Sequence, residues 1–348
     1  MSLTKEFFER ETNIKAVVLQ DSITAAGSRV VTIEAEYPRF ILAELNTHSA
    51  IEKNSSSSRA IPIFNMIAQL EDNKAVPVYW GKTKAGMQAG AELDKDNLSM
   101  AKDYWHSASR RAIRHAIRLS DIGLHKQTAN RLLEPFQMMK TVLTATDLDN
   151  FFNLRIHPDA QPEILMLAYK MYKAIQASTP RLLKDDEWHL PYIHTDRDDK
   201  GGIMYLSLDS VGKETGYQEY TAYSACQISA SCCAQTSYRK NDDSLEKAVT
   251  IFDKLIGADV LHASPFGHLA TPVLETQRIY TETGHLDVER SVNCPEAPST
   301  WQQGITHLRK DGQFGSGNLT GWVSYRHLLP DNTCWKFNFD SRMKLFGE

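Results

Sequence analysis

The chain has 348 residues, of which 42% are hydrophobic, with 39 Lys and Arg against 43 Asp and Glu. This length and apolar content suit one large or two medium globular domains and exclude a disordered or fibrous protein. The formal net charge of −4 gives no basic excess, so we expect no nucleic acid polymer as a ligand. No apolar run reaches the roughly 18 residues of a membrane span, and the start MSLTKEFFERE lacks the apolar core of a signal peptide. We therefore expect a cytoplasmic protein with no membrane partner.

The cysteines number five, without a regular framework: Cys226, Cys232, Cys233, Cys294 and Cys334. An odd number argues against a disulfide-stapled domain, so reduced thiols are expected. No CxxC pairs with a second CxxC or with HxxxH at zinc spacing, and we predict no metal site.

The first half of the chain begins with a strand pattern. Residues 30–37 (VVTIEAEY) alternate between apolar and polar positions, which predicts a half-buried strand. Pro38 then favours the start of a helix from about Arg39 to Asn46. The following segment THSAIEKNSSSSRAIP, residues 47–62, has four serines and Pro62 and predicts an irregular loop.

Helical spacing of apolar residues recurs four more times, and the expected helices cover about 100–122, 147–154, 162–178 and 245–256. The first of these carries a basic face that we expect to be solvated, formed by Arg110, Arg111, Arg114 and Arg118. Before the last helix, Asp243 and Glu246 have the spacing of a capping box.

Shorter stretches typical of strands cover residues 202–207 and 321–325, and GSGN at 315–318 predicts a turn. The polar segment 184–202 predicts a long surface excursion. The chain therefore mixes helices and strands, with no repeat and no clean domain boundary.

The segment 146–164 (TDLDNFFNLRIHPDAQPEI) concentrates polar residues in an apolar setting. Asn150 and Asn153 are three residues apart, so their amides share one helical face, which suits the edge of a heterocycle. Arg155 follows at the expected helix end, where it could meet last-turn carbonyls or the carbonyl oxygens of a ligand. Structural capping by all three residues is the competing interpretation, and these residues alone do not decide.

Two further segments, 43–62 and 261–272, are also rich in polar residues. Arg59 follows Ser55–Ser58, and a loop with hydroxyls and free backbone N–H groups suits a phosphate, unless the serine run is simply disordered. In LHASPFGHLATP, His262 and His268 flank an SPFG turn that includes Ser264. Two histidines six residues apart are not a metal signature, and structural histidines are the alternative.

All three segments together resemble the flavin-dependent thymidylate synthases, in the divergent form found in bacteriophage genomes. Usual members carry RHRxxSxNExSxRY, then NFLNLRxxxxAQWEI, with an HxTPFEH-type turn upstream. Here THSAIEKNSSSSRA matches the first pattern at His48, Asn54, Ser57 and Arg59. NFFNLRIHPDAQPEI matches the second far more closely, and HASPFGH matches the turn.

The order of these segments differs from the usual one. HASPFGH lies downstream, and AQTSYRK (234–240) with its following helix resembles the family's usual amino-terminal segment. This order indicates a circular permutation, or a duplication that kept the other copy. We then expect a single thymidylate synthase-like unit over 1–348. Residues 16–183 would hold the nucleotide and flavin motifs, 221–273 the remaining motif segments, and 274–348 an unassigned extension. Both downstream segments should lie beside the NSSSSR loop of the same or a neighbouring subunit.

Several motif positions have changed. Thr47 and Ser49 replace two arginines, Glu52 replaces serine, Ser55 replaces glutamate and Ala60 replaces tyrosine. Gly267 stands where the family has glutamate. If the two arginines normally hold phosphates, this chain must bind those phosphates by other groups or not at all.

The resemblance implies an α+β fold with a mixed, mainly antiparallel sheet flanked by long helices. It also implies a homotetramer that binds FAD, takes a one-carbon unit from methylenetetrahydrofolate with NADPH as reductant, and transfers it through the flavin to C5 of dUMP. By position, the expected flavin or cofactor contacts are His48, Asn54, Asn150, His262, Ser264 and His268. The expected nucleotide contacts are Ser57, Arg59, Lys140 and Arg155, with Arg155 as the catalytic residue.

Two alternatives remain at this stage. An enzyme of the same scaffold could modify a different pyrimidine deoxynucleotide, for example by installing a hydroxymethyl group in phage DNA precursors in the host cytoplasm. A non-catalytic relative could instead have kept the scaffold as a binding or assembly protein, because five of the nine positions of the first pattern are changed.

Overall fold

A computed structural model describes residues 5–207, 216–237, 241–258, 260–275, 301–334 and 336–344. Cys294 lies outside the described residues. Helices combine with mostly antiparallel strands, so the expected α+β class is confirmed.

The central sheet has five strands: β1 (Lys15–Thr24), β2 (Arg29–Pro38), β3 (Glu52–Ser55), β4 (Met138–Ala145) and β5 (Arg181–Leu183). Their spatial order is β3, β4, β2, β1, β5, and neighbours are antiparallel except for β1 with β5. Val31, Ile33, Ala35 and Tyr37 of β2 are all buried on one face, as their alternation predicts. Thr32 is buried on the other face, so both faces of the sheet are covered.

The described residues include ten α-helices: α1 (Lys5–Phe8), α2 (Leu42–Asn46), α3 (Ile63–Asp72), α4 (Lys95–Asp121), α5 (Lys126–Ala129), α6 (Asp149–Arg155), α7 (Pro162–Gln176), α8 (Ala222–Ala234), α9 (Leu245–Ile256) and α10 (Phe339–Met343). α7 packs on β1 and β2 and buries Ile164, Leu167 and Met171 in the main core, as their spacing predicts. Within the described ranges, no helix has the length and apolarity that crossing a membrane requires.

The downstream part of the chain adds a second core and three small sheets. The second core includes Cys226, Ile228, Phe252 and Phe266, from α8, α9 and a 3₁₀ helix at Ser264–His268. The remaining strands are β6 (His194–Arg197), β7 (Ile203–Ser207), β8 (Gln218–Tyr220), β9 (Ala270–Pro272), β10 (His307–Leu308), β11 (Phe314–Ser316), β12 (Leu319–Thr320) and β13 (Trp322–Ser324). β6, β7 and β8 form one sheet, β9 pairs with β13, and β10, β11 and β12 form another.

Three local predictions need correction. The predicted loop at 47–62 contains the edge strand β3, because pairing with β4 supplies hydrogen bonds to a segment with no apolar alternation. Helix α4 starts earlier than expected, at Lys95, where the Asp94 carboxylate accepts a hydrogen bond from the backbone N–H of Asn97. The cap of α9 is the hydroxyl of Ser244, which accepts from the Lys247 N–H, and not the predicted Asp243.

The predicted surface excursion at 184–202 is also wrong in its first half. His189 and Leu190 are fully buried and Ile193 is 2% exposed. The backbone of His189 pairs in both directions with that of Ala270. The polar composition misled the prediction because the buried polar side chain of His189 is satisfied by tertiary hydrogen bonds.

A chain of buried hydrogen bonds holds this segment on the sheet. The Ser22 hydroxyl lies 2.9 Å from His189 Nδ1, and His189 Nε2 lies 2.8 Å from the Thr32 hydroxyl. The chain continues from Thr32 to the Thr144 hydroxyl at 2.7 Å and from there to His268 Nδ1 at 2.8 Å. We call this set the histidine–threonine chain. All five side chains are buried, and burial lowers the pKa of each histidine to about 3.

We expect the free energy of unfolding to decrease as the pH falls below about 6.5, because His189 and His268 bind protons in the unfolded chain but stay neutral in the folded protein. Down to the folded pKa of about 3, each histidine should contribute a slope of about 1.4 kcal/mol per pH unit. Urea unfolding between neutral pH and about pH 5 measures this slope. His189→Gln should remove about half of it, whereas Thr195→Val, at a buried threonine outside the chain, should leave the slope unchanged. An unaltered slope in His189→Gln would contradict the prediction.

Candidate active site

Three segments that the sequence singles out meet along the edge strand β3. The side-chain amide of Asn54 donates to the backbone carbonyl of Cys233 at the end of α8, and its oxygen accepts from the Ser264 hydroxyl at 3.3 Å. The backbone N–H of Ser57 donates to the Ser237 hydroxyl at 2.8 Å. The prediction that AQTSYRK and HASPFGH lie beside the NSSSSR loop is therefore confirmed within one chain, although residues 238–240 fall outside the described part.

Arg155 lies at the end of α6 and is fixed by residues of α2 and the turn that follows it. Its Nε donates to His48 Nε2 at 2.8 Å, and its Nη2 donates to the Thr47 hydroxyl at 3.1 Å and to the Glu44 carbonyl at 3.4 Å. The sequence suggests a bond to the last-turn carbonyls of its own helix, whereas the carbonyl used belongs to α2. Among the described residues, Arg155 Nη1 has no hydrogen-bond partner.

His48 must be neutral to make this contact, because its Nε2 accepts a hydrogen bond from Arg155 and its other ring nitrogen then carries the hydrogen. Burial, the Arg155 charge and the Lys53 ammonium all lower the pKa of His48. The ring of Phe151 packs edge-on against the imidazole, with centroids 4.8 Å apart. His48, which the sequence predicts as a cofactor contact, thus orients Arg155 through this hydrogen bond.

A cavity of about 590 Å³ opens beside Arg155. The residues that line it include the aromatic residues Phe40, Tyr79 and Trp105, together with Glu44 and Glu163. An apolar cavity with a few polar groups is the usual form of a small-molecule site, and this volume lies in the usual range. No sequence motif pointed to the wall residues Phe40, Tyr79 and Trp105, whereas Arg155, Gln161 and Glu163 belong to the NFFNLRIHPDAQPEI pattern.

Glu163 is almost fully buried at the edge of this cavity. Its carboxylate accepts hydrogen bonds from the Val78 N–H at 2.8 Å and from the Gln161 amide at 3.1 Å. Burial nevertheless raises the pKa of Glu163, and the neighbouring Glu44 adds to that rise. The cavity is lined by one arginine, two glutamates and several aromatic residues, a combination that suits a planar polar heterocycle.

The NSSSSR loop does not offer the free donors that its sequence suggests. The hydroxyls of Ser55, Ser56 and Ser58 contact Thr141, the Lys140 N–H and Glu134. The backbone N–H groups of Ser56, Ser57, Arg59 and Ala60 all have acceptors within the chain. The predicted cradle of free N–H groups is therefore wrong for these four residues, because the loop satisfies its own polar groups.

The two predicted phosphate cations differ in availability. Lys140 on β4 lies 3.4 Å from a Glu34 oxygen, and the Tyr192 hydroxyl donates to the other Glu34 oxygen at 2.8 Å. Arg59 is exposed, and no carboxylate of the described residues lies within ion-pair distance of it. Arg59 is thus the better placed of the two for a phosphate.

The other predicted cofactor contacts differ in their exposure to solvent. Asn150, His262 and Ser264 are exposed, whereas His268 is fully buried. His268 Nδ1 belongs to the histidine–threonine chain, and in the described part of the protein its Nε2 has no hydrogen-bond partner. The backbone of His268 contributes to the turn beside β3, but its ring is directed to the sheet.

The buried cysteines do not form a metal site. Cys226, Cys232 and Cys233 lie on α8 inside the second core, and burial raises the pKa of each thiol. No group of three or more His, Cys, Asp or Glu side chains within the described ranges is arranged to bind a metal ion.

The model of one protein family, described as thymidylate synthase complementing protein, matches residues 11–181. Residues 11–181, about half of the chain, are thus similar to the thymidylate synthase complementing protein family. This family segment contains strands β1 to β4 of the central sheet, α2, the NSSSSR loop, Arg155 and the cavity beside it. The turn with His262, Ser264 and His268 lies outside the matched residues.

Two solved structures of one bacterial enzyme are similar to about half of the chain. The UMP/dUMP methylase PolB from Streptomyces cacaoi bound with 5-Br UMP has 17% sequence identity and a TM-score of 0.42, over 47% of this chain and 89% of that chain. The same enzyme bound with 5-Br dUMP has 18% identity and a TM-score of 0.40, over 47% and 90%. No curated protein matches the sequence.

We expect Arg155→Gln to raise the pKa of His48, because one of the charges that disfavours its protonated form is removed. Since burial still acts, the value should stay below the ordinary histidine pKa of about 6.5. Titration of the His48 ring by NMR measures the shift. Arg131→Gln, which removes a guanidinium paired with Glu134, is the control and should leave the His48 titration unchanged. An unchanged His48 titration in Arg155→Gln would show that the contact is not made in solution.

Proposed function

We propose that this protein transfers a one-carbon unit from methylenetetrahydrofolate to C5 of dUMP, with FAD as cofactor and NADPH as reductant. The family of residues 11–181 supports thymidylate synthesis as the activity. The observation that carries the proposal is Arg155, which the NFFNLR motif places beside a cavity of nucleotide size, with one arm of its guanidinium free of partners among the described residues.

Arg155 has the chemistry for a uracil ring. The carbonyl oxygens of uracil accept hydrogen bonds, and one of them carries negative charge when the base reacts as the enolate whose C5 attacks the one-carbon unit. A guanidinium stabilises that charge more than it stabilises the ground state, so its contribution should appear mainly in turnover. Neutral His48 and Thr47 hold Nε and Nη2, which fixes the guanidinium plane and leaves Nη1 for the base.

The described residues of one chain do not fit the diphosphate of FAD. The N–H groups of the NSSSSR loop are already bonded, Lys140 is paired with Glu34, and the Lys53 ammonium donates to the backbone carbonyls of His48 and Ile51. Arg59, His262, Ser264 and Asn150 are the exposed predicted contacts that remain. We therefore propose weak FAD binding that a neighbouring subunit of a homo-oligomer, by resemblance a tetramer, completes.

The test of this function is a binding titration followed by product analysis. Apo-protein titrated with FAD should show saturable binding in the micromolar range or weaker, because the loop N–H groups are already bonded and Arg59 replaces only part of the lost arginine charge. With FAD, NADPH and methylenetetrahydrofolate present, dUMP should be converted to dTMP. Ser49→Arg should tighten FAD binding, provided that the Glu52 carboxylate does not pair with the new guanidinium.

Each negative result has a defined meaning. No saturable FAD binding would exclude the flavoenzyme. Conversion of dCMP in place of dUMP, or a hydroxymethyl product, would identify the related pyrimidine-modifying enzyme. FAD binding without any product from either nucleotide would favour the non-catalytic relative.

Arg155→Lys should lower turnover about 100- to 1,000-fold, because it keeps the charge and discards the planar fork that the developing oxyanion needs. If Arg155 were only a structural contact, the loss would be about 1 kcal/mol of stability with turnover retained. Steady-state kinetics with dUMP and thermal unfolding of the same preparation separate the two. A variant with full activity, or one that simply unfolds, would show that Arg155 is structural.

A further inference from the structure

Glu52 and Gly267, two positions that depart from the family patterns, are in contact. Glu52 lies on β3 opposite Thr144 of β4. Its Oε2 lies 2.8 Å, and its Cδ 3.3 Å, from the position that a Cβ would take on Gly267. Gly267 is not among the glycines with a positive φ, so its backbone conformation does not require glycine. The absence of a side chain at Gly267 instead leaves room for the Glu52 carboxylate in its present position.

The Glu52 carboxylate is also fixed by a residue of the downstream extension. Asn318 donates its side-chain amide to Glu52 Oε1 at 2.7 Å. Asn318 lies in the tight turn between β11 and β12, where Gly317 has a φ of +59°. The same hairpin is tied to the family segment by a hydrogen bond from the Thr320 N–H to the Thr146 hydroxyl at 3.0 Å. The extension at 301–334, beyond the matched residues, thus reaches the edge of the candidate site.

We propose that these two departures are a single exchange: the carboxylate that the motif pattern places at position 267 is supplied here by Glu52. Glu52 is then a positioning residue. Held by Asn318, it fills the space over Gly267 and keeps the Ser264–His268 turn against β3, where Ser264 contacts Asn54. The exchange leaves the number of carboxylates at this turn unchanged, so Glu52 adds no net negative charge relative to the pattern.

The feature retained in this exchange is the negative charge of the carboxylate, in addition to the volume that the side chain fills beside Gly267. A carboxylate accepts a shorter and stronger hydrogen bond from an amide than a neutral side chain does. Two carboxylates at positions 52 and 267 together would lie within about 4 Å of each other and repel. The exchange therefore predicts strong coupling between the two positions: each single substitution should be harmful, and the double substitution should restore what each single one loses.

The experiment is a mutant cycle in the full chain with Glu52→Ser, Gly267→Glu and the double variant E52S/G267E. A fourth variant, E52S/G267Q, has nearly the same volume without the charge. The measurements are the midpoint of urea unfolding, the dissociation constant for FAD, and kcat and KM for dUMP. The activity measurement rests on the proposed function, whereas the unfolding midpoint reports the coupling even in a protein that has no turnover.

We expect each single variant to lower kcat/KM at least about tenfold, as for the loss of a hydrogen bond to a charged group. E52S/G267E should recover to within about threefold of the natural chain in kcat/KM and FAD affinity. E52S/G267Q should recover the unfolding midpoint but not the FAD affinity or kcat/KM. Equal rescue by Gln and Glu would overturn the charge exchange and leave a packing contact, and additive losses in the double variant would overturn the coupling altogether.

Asn318→Ala tests the clamp separately. It should lower kcat/KM in the natural chain but have no further effect in E52S/G267E, where its partner has moved. Asn332→Ala is the matched control, because the side-chain amide of Asn332 donates a hydrogen bond to the Leu329 carbonyl at 2.8 Å in the same part of the chain. An Asn318→Ala effect that persists in E52S/G267E would show that Asn318 does not act through Glu52.

Discussion

The histidine–threonine chain is the interaction on which the architecture of this protein depends. Thr32 and Thr144 lie on the face of the central sheet that α7 does not cover, and their hydroxyls bond His189 and His268. One histidine belongs to the segment after β5, and the other ends the turn that packs on β3. Since unpaired polar groups are costly in a buried setting, the two rings and the two threonines stabilise one another only when all three parts of the chain are docked. The apolar second core then closes over the sheet.

The candidate active site follows from that docking. With the Ser264–His268 turn fixed by His268, Ser264 reaches Asn54 on the edge strand, and the end of α8 reaches the same residue through the Cys233 carbonyl. Before β3 in the chain, His48 and Thr47 hold Arg155. The candidate site thus has two parts: the edge of β3, where a downstream segment meets the family segment, and the cavity beside Arg155. Covering β3 also protects an edge strand that would otherwise present unpaired backbone groups.

Charge at this site is distributed differently from what the motif comparison alone suggests. Two arginines of the motif pattern are absent. Glu52, however, is in contact with Gly267, and we infer that its carboxylate replaces the one that the pattern has at position 267. The serine hydroxyls of the loop bond within the protein and do not remain free for a phosphate. Arg59 is left as an exposed cation at one end, and Arg155 as an oriented one beside the cavity. These two residues carry most of what one chain offers to an anionic nucleotide.

Local periodicity determined helices α6, α7 and α9, most of α4, and the central strand β2, but not α3 or α8. The apolar spacing in 162–178 and the alternation in 30–37 depend on neighbours three, four or two residues apart, so they could be read from the sequence. The NFFNLR pattern likewise placed Arg155 at a helix end. The strand at Glu52–Ser55, the buried position of His189 and the contact of Glu52 with Gly267 could not be read in this way. Each depends on a partner far along the chain, and only the tertiary structure decides which partner is near, because hydrogen bonding and space at those positions are set by packing.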